Sequence, residues 1–217
     1  MKSICLGTIL AICAAADAFS AAPSSTIFES AILGPMAQPV DQTIVIVPDQ
    51  YLCARFHVSQ PTLVDQVGGL MRRYPSSHTV SIFAAIAPIT SSSGFPQLSP
   101  SQFQPLAVTS LDLTTGDYAD WRAPLSVLLS PGDYALIFGT GRFGVSGNAV
   151  MYRESPDTLQ ASYFQGSYHL PDGRNDIWLN SDYLQKLRFV VTGTVVPEPS
   201  TIVLAFVAFT AFPIRRR

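Results

Sequence analysis

Between residues 43 and 194 no stretch of this chain carries a sustained 3.6-residue apolar stripe, and that most narrows the folds open to it. Short runs of β-branched and aromatic residues recur instead, with Gly, Pro, Asn and Asp between them. The pattern predicts strands at 43–47, 51–58, 62–67, 79–87, 106–113, 125–129, 133–138, 149–153, 176–179 and 186–192. Several alternate with period two, as where Ala54, Phe56 and Val58 are set against Arg55 and His57. A strand with one apolar face must bury it against a second layer. Many short strands with turn residues between them therefore predict a mainly β domain over 43–194, an antiparallel β-sandwich or jelly roll.

Local turn chemistry agrees. Gly116-Asp117-Tyr118 and Gly132-Asp133-Tyr134 each follow a turn and lead into an extended run. The stretch 90–104, rich in Ser and Pro, reads as a surface loop and the most exposed insertion of the domain. Residues 23–42, rich in Ala, Ser and Pro, read as a linker into it.

The two ends are of another kind. Met1-Lys2-Ser3 precedes an apolar run from Ile4 to Ala16, and Ala16-Asp17-Ala18 offers a small-x-small cleavage site. Thirteen apolar residues rise only about 20 Å as a helix, short of the roughly 30 Å of a bilayer's hydrocarbon core. Residues 1–22 are thus expected to form a cleaved signal peptide, helical at its apolar centre. Leu10-Ala11-Ile12-Cys13 misses a lipoprotein box, because Ile12 stands where a small residue belongs.

At the other end Pro197-Glu198-Pro199 precedes an apolar run that includes Ile202, Val203, Leu204, Phe206, Val207, Phe209 and Phe212 and closes on Arg215, Arg216 and Arg217. Each proline removes an amide donor and pushes its predecessor toward extended geometry, so an accessible stub is expected there. Ser200 or Thr201 can cap the helix that follows. Eighteen residues from Ser200 span about 27 Å of helix, with the arginines snorkelling into headgroups on the cytoplasmic side. This three-part tail, 195–217, resembles the PEP-CTERM sorting signal. The resemblance implies recognition by a membrane exosortase in bacteria that make exopolysaccharide. The turn and strand of Leu128 to Phe138 are also similar to those of the choice-of-anchor domains often joined to such tails, which have no assigned activity.

Charge and cysteine content exclude other classes. Removing Lys2 and Arg215 to Arg217 from the 13 basic residues, and Asp17 from the 15 acidic ones, leaves nine against fourteen, a balance near −5. Nucleic-acid binding needs a basic stripe to displace counterions, so no nucleic-acid partner is expected. Cys5 and Cys13 fall in the leader, leaving Cys53 without an internal disulfide partner; its apolar setting, Tyr51 to Phe56, marks a small core residue.

The remaining motifs are weak. Gly139-x-Gly141-x-x-Gly144 matches a dinucleotide string, but strand-like sequence follows where a helix would have to begin, so a glycine-rich connection is expected. Asp172-Gly173-Arg174-Asn175-Asp176 gathers oxygen-bearing side chains without the spacing of a calcium loop; a plain turn is expected, with structural calcium the alternative. His57, His78 and His169 show no metal-ligand spacing. Trp121 and Trp178, with Tyr163, Phe164, Tyr168 and Tyr183, are either core aromatics or stacking platforms for sugar rings. The functional expectation is a non-enzymatic, exported protein of the cell surface or extracellular matrix, without cofactor. Its partners would be the secretion machinery, exosortase, the membrane and exopolysaccharide. The alternative is a secreted hydrolase of polysaccharide, whose two carboxylates would have to come from acids such as Asp112, Asp117, Asp120, Glu154 or Asp157.

Overall fold

A computed structural model describes residues 23–32, 43–48, 50–74, 79–90, 92–152, 162–167, 176–181, 184 and 186–196. Its strands are β1 (Ser25–Glu29), β2 (Thr43–Ile46), β3 (Gln50–Val58), β4 (Thr62–Arg73), β5 (Val80–Pro88), β6 (Ala107–Leu113), β7 (Ala119–Leu129), β8 (Gly132–Gly139), β9 (Ala149–Tyr152), β10 (Ser162–Ser167), β11 (Ile177–Asn180) and β12 (Phe189–Val195). All ten stretches expected from alternation contain a strand. Every pairing is antiparallel. The first sheet runs β1-β12-β4-β9-β2, with β7 also on β4; the second runs β11-β10-β3-β8-β5-β6.

The two sheets share one core because each strand's inward row is apolar. Leu52, Ala54 and Phe56 of β3, Ile82 and Ile86 of β5, and Leu136 and Phe138 of β8 meet Val64, Val67 and Met71 of β4 and Phe189 and Val191 of β12. Phe138 stacks on Phe189, centroids 5.0 Å apart and planes within 12°. Removing such area from water contributes about 25 cal/mol per Å², and it is this face that requires the two layers.

Four features depart from the sequence expectation, each for a physical reason. Within the expected linker 23–42, Ser25–Glu29 is a strand on the first sheet's edge, with Thr26 opposite Thr192 and Phe28 opposite Val191. Its five residues are too few to stand out from Ala, Ser and Pro neighbours. β10 also escapes the pattern, since Gly166 and polar residues dilute it; that glycine lies under the Trp178 ring, 2.5 Å from where a Cβ would sit. β4 and β7 run longer than expected because Gly68-Gly69 and Pro124 resemble breakers. β7 pairs with β4 alone in this sheet, so an edge proline is tolerated. Gly68 is required by closeness: a Cβ there would lie 1.9 Å from the Trp121 carbonyl oxygen.

The fourth departure matters most. The segment 90–104, expected as the most exposed insertion and described at 90 and 92–104, is a strap over the outer face of the second sheet. Beneath it lies a second apolar cluster of Tyr51, Cys53, Phe83, Ala85, Ile137 and Phe164, closed by Phe103, which is 1% exposed. Serines and glutamines of the strap face water while Phe95, Pro96, Pro100 and Phe103 turn inward. Their spacing follows no period, so no alternation shows in the sequence. The glycine string 139–144 joins β8 to β9 as a loop with Gly141 and Gly144 at φ of 80° and 79°, and no helix follows. The expected signal helix and the tail from Pro197 to Arg217 lie outside the described residues. Among the described residues no helix is long and apolar enough to cross a membrane.

Candidate functional site

The site follows from the outward row of β3. Tyr51 and Cys53 of that row are buried under the strap, and Arg55 and His57 continue it past the strap's margin. There a cleft of about 840 Å³ opens, lined by Arg55, His57, Asp133 and Ser162 with Thr90, Ser92 and Gly94 of the strap. Phe28, Phe56 and Ile89 give it apolar walls. Its size is that of a small-ligand site.

Arg55 is held there by three hydrogen bonds. Nε donates to the Gly94 carbonyl at 2.5 Å, Nη1 to Ser162 Oγ, and Nη2 to Asn180 Oδ1 at 2.8 Å. Gly94, at φ 75°, turns its carbonyl onto the guanidinium in a conformation that side chains rarely adopt. The guanidinium also lies 5.0 Å from the Phe95 ring centroid and 4.7 Å from that of Phe164, a cation–π setting on two sides. Burial lowers its pKa from the ordinary arginine value, with Cys53 opposing. Its three acceptors among the described residues are neutral oxygens. Burial in turn raises the Cys53 thiol well above its usual value, so that sulfur stays protonated and inert.

His57 and Asp133 face each other across β3 and β8, with Nδ1 and Oδ1 2.7 Å apart and both side chains more than 60% exposed. Ser162 stands opposite Arg55 on β10, at the other side of β3. Serine, histidine and aspartate thus line one cleft, but the serine oxygen accepts a hydrogen bond from Arg55. A nucleophile would also donate its proton to the imidazole, and among the described residues Ser162 and His57 share no hydrogen bond.

The strap forming one wall is pinned at several points. Trp178 Nε1 donates to the Leu98 carbonyl at 2.7 Å, and Arg142 Nη1 to that of Pro100 at 2.8 Å. Asp176 accepts from Ser99 Oγ at 2.6 Å, from the Ser101 amide at 2.8 Å and from Ser101 Oγ. Partial burial pushes the Asp176 carboxyl up, but these hydrogen bonds outweigh it and hold the pKa below the usual aspartate value.

The two tryptophans do not share a surface. Trp121, on β7, packs against the core between the sheets and donates to the Met71 carbonyl at 3.0 Å. Trp178, on β11, packs against the second cluster, with Phe164 and Phe103 edge-on at 5.3 and 5.8 Å. Both are half-buried rather than enclosed. Of the acids named above, Asp112 bonds Ser81 Oγ on the second sheet while Asp120 pairs with Arg122 and Arg188 on the first; Glu154 and Asp157 lie outside the described residues. So do His78, His169, Tyr168, Tyr183 and 172–175 of the calcium candidate, whose Asp176 is engaged by the strap serines. Among the described residues no group of three or more His, Cys, Asp and Glu side chains could hold a metal ion.

Sequence reasoning placed Arg55 and His57 on the outward phase of a strand without seeing a site. The available signal was a cation on a row whose other members, Tyr51 and Cys53, are apolar. Comparison with protein-family models finds no match, and a search of curated proteins finds none either.

Proposed function

We propose that this chain is an exported, non-catalytic protein of the bacterial surface or extracellular matrix, whose β domain holds saccharide in the cleft beside Arg55. On this reading residues 1–22 are a cleaved signal peptide. Of the expected tail 195–217, Val195 ends β12 and Val196 bonds Pro61, and from Pro197 on it is a PEP-CTERM signal handed to an exosortase, with its apolar helix crossing the membrane and the sandwich, of jelly-roll kind, outside.

The observation that carries the reading is where the fold closes. The Val196 amide donates to the Pro61 carbonyl at 2.7 Å as the last backbone bond of the described domain. Pro197-Glu198-Pro199 follows at once, so cutting there would leave every described strand whole. The cleft supports the saccharide part, since apolar walls beside hydroxyls, a cation and a His–Asp pair match a sugar's apolar faces and its hydroxyls. Asp133 is the one carboxylate among its described lining residues, where glycoside cleavage uses two across the bond. That favours binding over hydrolysis.

Intact-mass measurement of the native protein from the cell envelope tests the sorting. A new N-terminus after Ala18 to Ala22 and a C-terminus at or near Pro197 are expected; both original ends found intact on cytosolic protein would refute export. Incubation with exopolysaccharide fractions tests the domain, with capture and no shortening of the polymer expected. Released oligosaccharide would establish the hydrolase instead.

A further inference from the structure

We infer that the cleft recognises an acidic saccharide, with Arg55 receiving an oxyanion (a carboxylate or sulfate) carried on the sugar. The inference rests on the saccharide reading of the cleft and names the ligand's charge.

The argument begins from an imbalance. Arg55 is partly buried, and desolvating a cation without a counter-charge is unfavourable. Its three hydrogen bonds go to a carbonyl, a hydroxyl and a side-chain amide, none of them charged. Asp133, the one acid among the described lining, is hydrogen-bonded to His57. The fold has a ready way to neutralise a buried guanidinium and uses it elsewhere: Arg188 pairs with both Glu29 and Asp120. At Arg55 no described carboxylate does so.

The donor count says what fits. A guanidinium carries five N–H groups in one plane. Nε, Nη1 and Nη2 each spend one on the acceptors above, which leaves one on each terminal nitrogen. N–H groups on the two neighbouring terminal nitrogens can both donate to one oxyanion. The Phe95 and Phe164 rings, Gly94 and Asn180 hold the guanidinium plane in place, so little rotamer freedom remains to be lost on binding. Hydroxyls of Thr90 and Ser92 stand on the same cleft to take sugar hydroxyls, and Ile89 offers an apolar surface. The domain's net negative charge opposes adventitious binding of anions, so a local cation must act at short range.

The test uses the full-length protein in detergent and three oligosaccharides of one backbone: neutral, uronate and sulfated. Binding of the uronate or the sulfated form about ten- to a hundred-fold tighter than the neutral one is expected, weakening as salt rises; which of the two is bound identifies the oxyanion. Arg55→Gln should abolish that preference. Because Arg55 also ties the strap down, Ser92→Glu provides a variant that keeps it. A carboxylate placed on the cleft wall should occupy the guanidinium and expel the acidic sugar, while Ser92→Gln retains binding. Equal affinity for the neutral sugar, unchanged in Arg55→Gln and Ser92→Glu, would overturn the inference and leave the saccharide reading standing. No affinity for any of the three, with the domain folded by its melting curve, would remove both.

Discussion

The two sheets each carry a partly or fully buried arginine on their outer face, and the two are treated differently. Arg188 lies between Leu187 and Phe189, which face the inter-sheet core, so alternation turns it outward. There it is 6% exposed, donates to the Ala31 carbonyl at 2.7 Å and pairs with Glu29 and with Asp120 at 3.2 Å, while Asp120 also takes Arg122 at 2.6 Å. Three strand regions of the first sheet are thereby joined, and two carboxylates meet the charge of Arg188. Arg55 joins four elements, β3, β10, β11 and the strap, but through neutral oxygens and ring faces. Among the described residues no carboxylate neutralises it, and it lies beside a cleft. A buried cation supplied with carboxylates is a structural tie; one supplied only with neutral partners retains attraction for an anion.

The largest test of that contrast is Arg188→Met. Glu29 would be left partly buried without its described partner and Asp120 with Arg122 alone, a loss of about 3 kcal/mol, read as a fall of roughly 10 °C in Tm. A change within 2 °C would show that the ion pairs do not hold the first sheet. Gly68→Ala comes next. Its methyl would meet the Trp121 carbonyl and the Arg122 side chain, and more than about 2 kcal/mol of destabilisation is expected by the overpacking rule; denaturant titration measures it.

Arg55→Gln should cost less than Arg188→Met, about 1–2 kcal/mol, because no carboxylate is abandoned. If it destabilises as much as Arg188→Met, the two sites are alike and the contrast is void. A smaller effect is expected at Asp176. Its folded pKa lies below the unfolded value, so its hydrogen bonds to the strap stabilise above the unfolded aspartate pKa and are lost as pH falls through the folded one. Asp176→Asn should flatten the acid limb of a stability–pH profile while changing neutral stability by about 1 kcal/mol or less. An unchanged acid limb would free the strap from this group. Least costly to the fold is a labelling experiment on Cys53. Buried and protonated beneath the strap, it should react with a thiol reagent only at the rate of local opening. Asp176→Asn should raise that rate; labelling at the rate of a free thiol in the native protein would show that the strap does not close.

The legible parts of this protein were those where one residue decides by itself or by its period. Ala54, Phe56 and Val58 alternate with Arg55 and His57, and both rows lie where alternation puts them. The glycine string 139–144 could be read as a connection because no helical pattern followed it. Illegible parts involved partners far along the chain. Gly68 reads as a breaker until Trp121 is set against it, and Pro124 as another until β7 is seen at an edge. The site was hidden for the same reason: Gly94, Ser162 and Asn180 reach Arg55 across separations of 39, 107 and 125 residues.

Order along the chain alone determined that this protein would be β-built and layered, because a period of two admits no other way to hide one face of each strand. Which segment covers the second sheet's outer face, and which arginine lacks a carboxylate, were decided only when the strands paired. Burial and charge compensation are properties of neighbours in space, and nothing in the order of residues states that Glu29 comes to Arg188 while the described acceptors of Arg55 are all neutral.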